Sequence, residues 1–191
     1  MTQLFTDDQV VPVTLIEVGP CTVAQIKDVE QDGYVAVQVG FGTKKRATKP
    51  QRGHTKMLGN FAVLREFRPA EMPALKVGDV LTAETFAEGD TVKVSSITKG
   101  QGFQGVVKRH NFSGGPASHG QRHVLRTPGS TGSRFPQHTL KGTKMPGRSG
   151  GVRRTVRNLK IVKVDAAHNL IAVAGAVPGW RGGIIEVASQ E

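Results

Sequence analysis

Between Asp90 and Asp165 the chain runs for 74 residues without an aspartate or glutamate, yet carries fifteen lysines or arginines and four histidines, His110, His119, His123 and His138. The other 117 residues hold eleven Lys or Arg against all fifteen acids. Acids scattered at their overall frequency would leave such a run at a given start about two times in a thousand, so a merely solvated face explains it poorly. Carboxylates are missing where they would face phosphates. Within the tract, the 52 residues 100–151 include twelve glycines, four prolines and only ten clearly apolar side chains. Such a segment cannot build its own core, and structureless loops beyond about 15 residues are uncommon in compact domains. Ordering it costs on the order of 50 to 100 kcal/mol of backbone entropy, at about 1 to 2 kcal/mol per residue. A partner has to offset that cost, and a polyanion matches the charge.

On both sides of this segment the pattern is β. Val35, Val37 and Val39 alternate with Tyr34, Ala36 and Gln38 as in a half-buried strand, with a hairpin signal at Asp32 and Gly33 before them. Further strands are expected over 10–18, 22–28, 80–86, 91–98, 155–165, 170–174 and 184–188, and a short helix near 56–64 despite Pro50, Gly53 and Gly59. About eight short strands without a helical period predict a mainly β fold, a barrel or sandwich. The expected organisation is a β-barrel body, residues 1–98 plus 152–191, with a basic loop at 44–65. A long Gly-rich basic extension, residues 99–151, is inserted between its strands with both ends anchored.

The formal charge of +11 on 191 residues points to nucleic acid before an anionic membrane. One cysteine, Cys21, supports neither an internal disulfide nor a Cys-based zinc site and suits a reducing compartment. The residues from Met1 to Asp8 carry two acids and no base. No apolar stretch reaches the length of a signal core or membrane span, so export and membrane partners are not expected.

Several motifs invite a catalytic reading and fail it. Gly100, Gly102 and Gly105 have dinucleotide-loop spacing, but the acid that would hold the ribose about 20 residues on falls in the acid-free tract. His119 and His123 lie four apart among Gly, Pro and Ser that argue against a helix, with no acid or cysteine nearby to complete a metal site. A Ser/His/Asp arrangement would have to borrow its acid from elsewhere. No enzyme activity, cofactor, metal or small-molecule substrate is expected. What remains around the glycines is Lys99, Lys108, Arg109 and His110 beside Phe103 and Phe112, a mix suited to phosphate contacts and base stacking; burial of the two rings at a barrel rim is the alternative. From 126 to 151 single cations alternate with turn formers, a spacing that favours winding through folded RNA over lying in a DNA groove.

At these residues the chain resembles the bacterial-type large-subunit ribosomal protein L-three family over essentially its whole length. The resemblance rests on 86–109, above all Lys99, Gly100, Gly102, Phe103, Gly105, Lys108 and Arg109. It is supported by Thr48, Lys49 and Pro50 with Gly53 and His54, the turn at 128–132, the stretch 141–150, and 175–179. It implies a non-enzymatic constituent of the large subunit of a cytoplasmic ribosome, an organellar ribosome being the other setting. Such a protein binds large-subunit rRNA near its 3′ end, nucleates assembly, touches neighbouring ribosomal proteins and extends a loop toward the peptidyl transferase centre. The sequence departs from the family pattern in opening near the end of the usual first strand, so the resemblance does not fix closure of the barrel at that edge. It also departs at Lys93 and Gln101, and at Arg148, where some bacterial members have a methylated glutamine; no such modification is expected here. Candidate rRNA contacts are Lys44, Lys45, Arg46, Lys49, Arg52, His54 and Lys56 in the first basic patch. In and beside the extension they are Lys99, Phe103, Lys108, Arg109, His110, Phe112, Arg122, His123, Arg126, Arg134, Lys141, Lys144, Arg148, Arg153, Arg154 and Arg157, with 144–150 expected nearest its tip.

Overall fold

The computed structural model describes residues 1–6, 9–69 and 74–190. Asp7 and Asp8, the end of the opening segment discussed above, lie outside the described residues. In chain order the elements are β1 (Thr2–Thr6), β2 (Gln9–Glu17), β3 (Cys21–Lys27), α1 (Val29–Asp32), β4 (Ala36–Thr43), α2 (Lys49–Thr55) and β5 (Phe61–Phe67). They continue with β6 (Val80–Leu81), β7 (Thr91–Ile97), β8 (Gly102–Gln104), α3 (Val106–His110), β9 (Gly147–Ser149), β10 (Arg153–Asp165), β11 (Leu170–Ala174) and β12 (Ile185–Ser189). Single 3-10 turns occur at Lys56–Leu58 and Ala83–Thr85.

The fold is mainly β with little helix, as the alternation predicts, but no closed barrel is found. The strands form a six-stranded sheet in the order β1-β2-β11-β10-β7-β12, a four-stranded sheet β5-β4-β3-β6, and the ribbon β8-β9. Closure needs a ladder between a sheet's first and last strands with a consistent stagger. Among the described residues the larger sheet ends on β1 and β12 and the smaller on β5 and the two-residue β6, with no ladder joining these edges.

Several local expectations change with it. The helix expected over 56–64 lies about two turns earlier, as α2, and Phe61–Phe67 is a strand paired antiparallel with β4. α2 starts where the sequence carries a capping signal: Thr48 donates its N–H to the Gln51 side chain at 3.2 Å, and Pro50 sits in the first turn. The hairpin signal at Asp32 and Gly33 closes the one-turn helix α1, and the connection still brings β3 and β4 together as an antiparallel pair. Only Val80–Leu81 of the expected 80–86 strand is β, and the next residues turn as a 3-10 helix.

The chain divides into two compact units. The first comprises Met1–Val94, Val156–Val177 and Val187–Glu191; the second comprises Ser95–Thr155 and Pro178–Glu186. The first has a close-packed aliphatic core with Val13 and Ile16 of β2, Val23 of β3, Val37 of β4, Val92 and Val94 of β7, Ile161 of β10, and Ile171, Ala172 and Val173 of β11. Three consecutive buried residues on β11 mean that this central strand is covered on both faces. Across the smaller sheet, Gly40 makes room for an aromatic ring: a Cβ there would lie 2.5 Å from Cγ of Phe61. The second unit has no comparable core. Its one buried hydrophobic residue among those described is Val106, and every residue from 116 to 142 is exposed.

Candidate nucleic-acid interface

The second unit is organised from its hydrogen bonds upward. Thr98 and Val152 exchange contacts at its root, Thr98 N–H donating to the Val152 carbonyl at 2.9 Å and Gly151 N–H to the Thr98 carbonyl at 3.2 Å. One step on, Gln101 N–H donates to the Ser149 carbonyl at 2.9 Å, and the Ser149 hydroxyl donates to the Gln101 side chain at 3.1 Å. The ladder then continues as β8-β9, pairing Gly102 with Ser149, Phe103 with Arg148 and Gln104 with Gly147. Gly150 is needed at this junction, because its φ is +70° and a Cβ would fall 2.1 Å from the Lys99 carbonyl oxygen.

After the ribbon, Gly105 opens the five-residue helix α3 and Asn111 closes it in the left-handed conformation. A helix this short is no dinucleotide-binding βα unit, so the glycine spacing serves the ribbon and turn. α3 grips the returning strand: Arg109 Nη1 donates to the Met145 carbonyl at 2.7 Å, and His110 Nε2 donates to the same oxygen at 3.2 Å. The stretch 144–150, expected nearest the tip of the segment, is thus tied to 101–110. His119 and His123 both have left-handed φ, near 60° and 56°, so no helix aligns them.

Phe103 is 76% exposed and lies directly opposite Arg148, so the ring and the guanidinium share one face of the ribbon. The alternative reading of Phe103 as a buried rim residue is excluded. Phe112 is half-buried, its ring 6.2 Å from that of His110. Arg134 lies 5.7 Å over the Phe135 ring.

The predicted site residues divide between the units. The second holds Lys99, Phe103, Lys108, Arg109, His110, Phe112, Arg122, His123, Arg126, Arg134, Lys141, Lys144, Arg148, Arg153 and Arg154, and the first holds the patch from Lys44 to Lys56 together with Arg157. Nearly all are exposed. Four have side-chain hydrogen bonds within the protein that sequence reasoning missed. Arg109 and His110 hold Met145, Arg153 is hydrogen-bonded to Glu186, and His54 Nε2 donates to Gln38 Oε1 at 2.5 Å. Gln38 in turn donates to Glu66 at 3.4 Å, where Lys27 and Tyr34 also converge, Lys27 2.9 Å from the carboxylate and the Tyr34 hydroxyl donating to it at 2.9 Å. Lys27, then Tyr34, hold the Glu66 carboxyl below its usual range, and Tyr34, then Glu66, hold the Lys27 ammonium above its own. α2 and its cations are thereby tied to β4.

The side chains of Lys44, Lys45, Arg46, Lys49, Arg52 and Lys56, and those of Lys99, Lys108, Arg122, Arg126, Lys141, Lys144, Arg148, Arg154 and Arg157, make no hydrogen bond or ion pair with another described residue. Cations without carboxylate partners remain available to an external anion. The division of charge between the units is milder than that between the acid-free tract and the rest of the chain, but it keeps the same sign. The second unit carries twelve Lys or Arg and one acid, Glu186, a net of +11; the first carries fourteen of each. The whole formal charge of the chain therefore resides in the unit with almost no apolar core. Trp180 and Arg181, which also belong to that unit, were not singled out from the sequence; a sole tryptophan beside an arginine among glycines was the available signal.

The family profile described as Ribosomal protein L3 matches residues 58–175. The chain belongs to this family. It is 48% identical to the large ribosomal subunit protein uL3 of Heliobacterium modesticaldum, over all of this chain and 92% of the relative. The protein of the same name from Desulfitobacterium hafniense is 49% identical over 95% of this chain and 87% of its own length. That of Chlorobaculum parvum is 48% identical over 99% and 94%. The family is one of ribosomal structural proteins rather than enzymes. Among the described residues no helix is long and apolar enough to cross a membrane, and no group of three or more candidate metal ligands converges.

Proposed function

We propose that the chain is a structural protein of the large ribosomal subunit that binds large-subunit rRNA. The observation that carries this reading is the confinement of the net charge of +11 to one unit with a single buried hydrophobe. Folding alone gives such a unit little to offset its ordering entropy or its self-repulsion; phosphates supply the missing counter-charge. In this reading the first unit docks through the exposed cations between Lys44 and Lys56 and through Arg157. Residues 99–151 form the extension, ordering fully on entering folded RNA. Contact near the rRNA 3′ end, nucleation of assembly, neighbouring ribosomal proteins and approach of the extension to the peptidyl transferase centre are the finer parts of the same proposal.

The internal partners divide the candidates into two roles. Arg109, His110, His54 and Arg153 shape the surface, while the unpaired cations, with Phe103 and Arg148 side by side on the ribbon, meet the RNA.

Sedimentation of lysate through sucrose gradients at moderate and high salt, with the protein followed by mass spectrometry, tests the assignment. Co-migration with the large subunit at both salts is expected; migration as a free small protein refutes it. On purified components, each phosphate neutralised on a duplex contributes about −0.9 to the slope of log affinity against log salt, so ten contacts give about −9. A slope near −2 removes the electrostatic argument. Equal affinity for duplex DNA and folded rRNA makes the chain a general nucleic-acid binder instead.

A further inference from the structure

We propose that the loop carrying Trp180 and Arg181 is a stacking platform for one unpaired nucleotide of the bound RNA, a site that rests on the RNA-binding reading above. The loop is held at both ends. Ser96, itself buried, donates its hydroxyl to the Ile184 carbonyl at 2.7 Å, and Gly179 is packed so closely that a Cβ would stand 3.0 Å from the Ile97 carbonyl oxygen. Between these anchors Gly183 N–H donates to the Trp180 carbonyl at 3.0 Å, closing a tight turn.

The turn fixes the indole. A Cβ built on Gly183 would meet Cε2 and Cδ2 of Trp180 at 3.4 and 3.5 Å. These two atoms form the fused bond at the middle of the ring system. A point whose nearest ring atoms are both fusion atoms lies over the face, because an edge approach meets peripheral atoms first. One face of Trp180 is therefore covered by the Gly183 backbone, while the side chain remains 52% exposed. A scattered exposed hydrophobe needs no explanation, but an indole backed on one face by a pinned turn has already lost the freedom that binding would otherwise take from it.

Charge selects the partner. The loop contributes Arg181 and no acid, in a unit where every other charged side chain except Glu186 is Lys or Arg. Glu186 is itself paired with Arg153 and so does not guard the loop against phosphate. An aromatic face with a cation beside it suits a base stacked on the ring and its phosphate on the guanidinium, and every base has a π-face, so the site tolerates any sequence. An acidic protein would satisfy the cations but would have no use for an open ring face next to them.

The chain has a single tryptophan, so its emission reports on this site alone. The full-length protein is titrated with transcribed large-subunit rRNA while filter retention measures binding and acrylamide quenching measures ring access. Saturating rRNA is expected to quench the emission and shield Trp180 from acrylamide. Trp180→Ala is expected to weaken binding about tenfold, within the range for losing one stacked base, with Trp180→Phe recovering most of the loss. If rRNA saturates retention while Trp180 stays equally accessible, the platform is wrong and the RNA-binding reading stands. Shielding only in assembled subunits, not by rRNA alone, overturns it in favour of a protein neighbour. If the wild-type chain does not retain rRNA, the broader reading fails and the platform falls with it.

Discussion

Gly150 offers the sharpest test of how the basic unit is held together. Its φ of +70° is left-handed, and a Cβ there would lie 2.1 Å from the Lys99 carbonyl oxygen, a backbone atom that no rotamer change can move. An ordinary carbon–oxygen contact is about 3.3 Å, so Gly150→Ala forces the strands of the ribbon apart by about 1 Å. The Gln101–Ser149 and Gly151–Thr98 bonds, now 2.9 and 3.2 Å, then exceed hydrogen-bonding distance. Two bonds at about 1 kcal/mol each and left-handed strain of about 1 kcal/mol sum to roughly 3 kcal/mol against the local structure. Gly102→Ala is the internal control. Gly102 lies in the same ribbon with φ +69° but has open space at its Cβ position, so only the strain, about 1 kcal/mol, applies. Hydrogen exchange resolved at Gln101 and Gly151 should therefore accelerate about 100-fold in Gly150→Ala and about fivefold in Gly102→Ala, at 1.4 kcal/mol per tenfold. Equal acceleration in the two variants refutes the close approach of the ribbon backbones.

Two further outcomes follow from the first unit. Gly40→Ala pushes a methyl into the Phe61 ring, with 2.5 Å available to Cγ, and overpacking of this kind costs about 1 to 3 kcal/mol; thermal unfolding should fall by several degrees, and the Gly40→Ala, Phe61→Leu double variant should recover part of it. No recovery would show that the ring is not the obstacle. Glu66 has a folded pKa below its ordinary 4.5, so its contribution to stability is present above that value and fades as pH falls through the lower folded value. Glu66→Gln should be less stable than wild type at neutral pH, with the gap closing in acid; urea midpoints measured across that range test this, and a gap that persists at low pH refutes the Lys27–Glu66 account.

How much of this was legible in advance depended on the range of each interaction. β2, β3, β7, β10, β11 and β12 all lie within a residue or two of where the sequence places them, because short apolar and β-branched runs bounded by turn formers are local signals. β5 was not legible: Leu58, Phe61, Val63, Leu64 and Phe67 satisfy a helical spacing almost as well as a strand, and the ladder to β4 decides it. The alternation at Val35, Val37 and Val39 also carried less than it promised, since Ala36 is buried as fully as Val37. β1 is too short to show a pattern of its own and becomes a strand by pairing with β2. The three-residue strands β8 and β9 are too short for any pattern, and their residues find each other across 45 positions only in the folded chain.

In the candidate interface the sequence alone determined the chemistry. A tract emptied of acids, dense in glycine and poor in apolar residues already points to a polyanionic partner and argues against a self-supporting core, because both readings depend on composition rather than on geometry. Tertiary structure alone decided which cations are free and which are employed. Arg109, His110, Arg153 and His54 read like their neighbours along the chain, and only the fold brings Met145, Glu186 and Gln38 within hydrogen-bonding distance of them. It also decided that no ladder closes either sheet among the described residues, since closure depends on pairing between distant edges that no local pattern encodes. Charge and hydrophobicity are sums over residues and survive in the sequence; partnership is a property of distance, and distance exists only once the chain has folded.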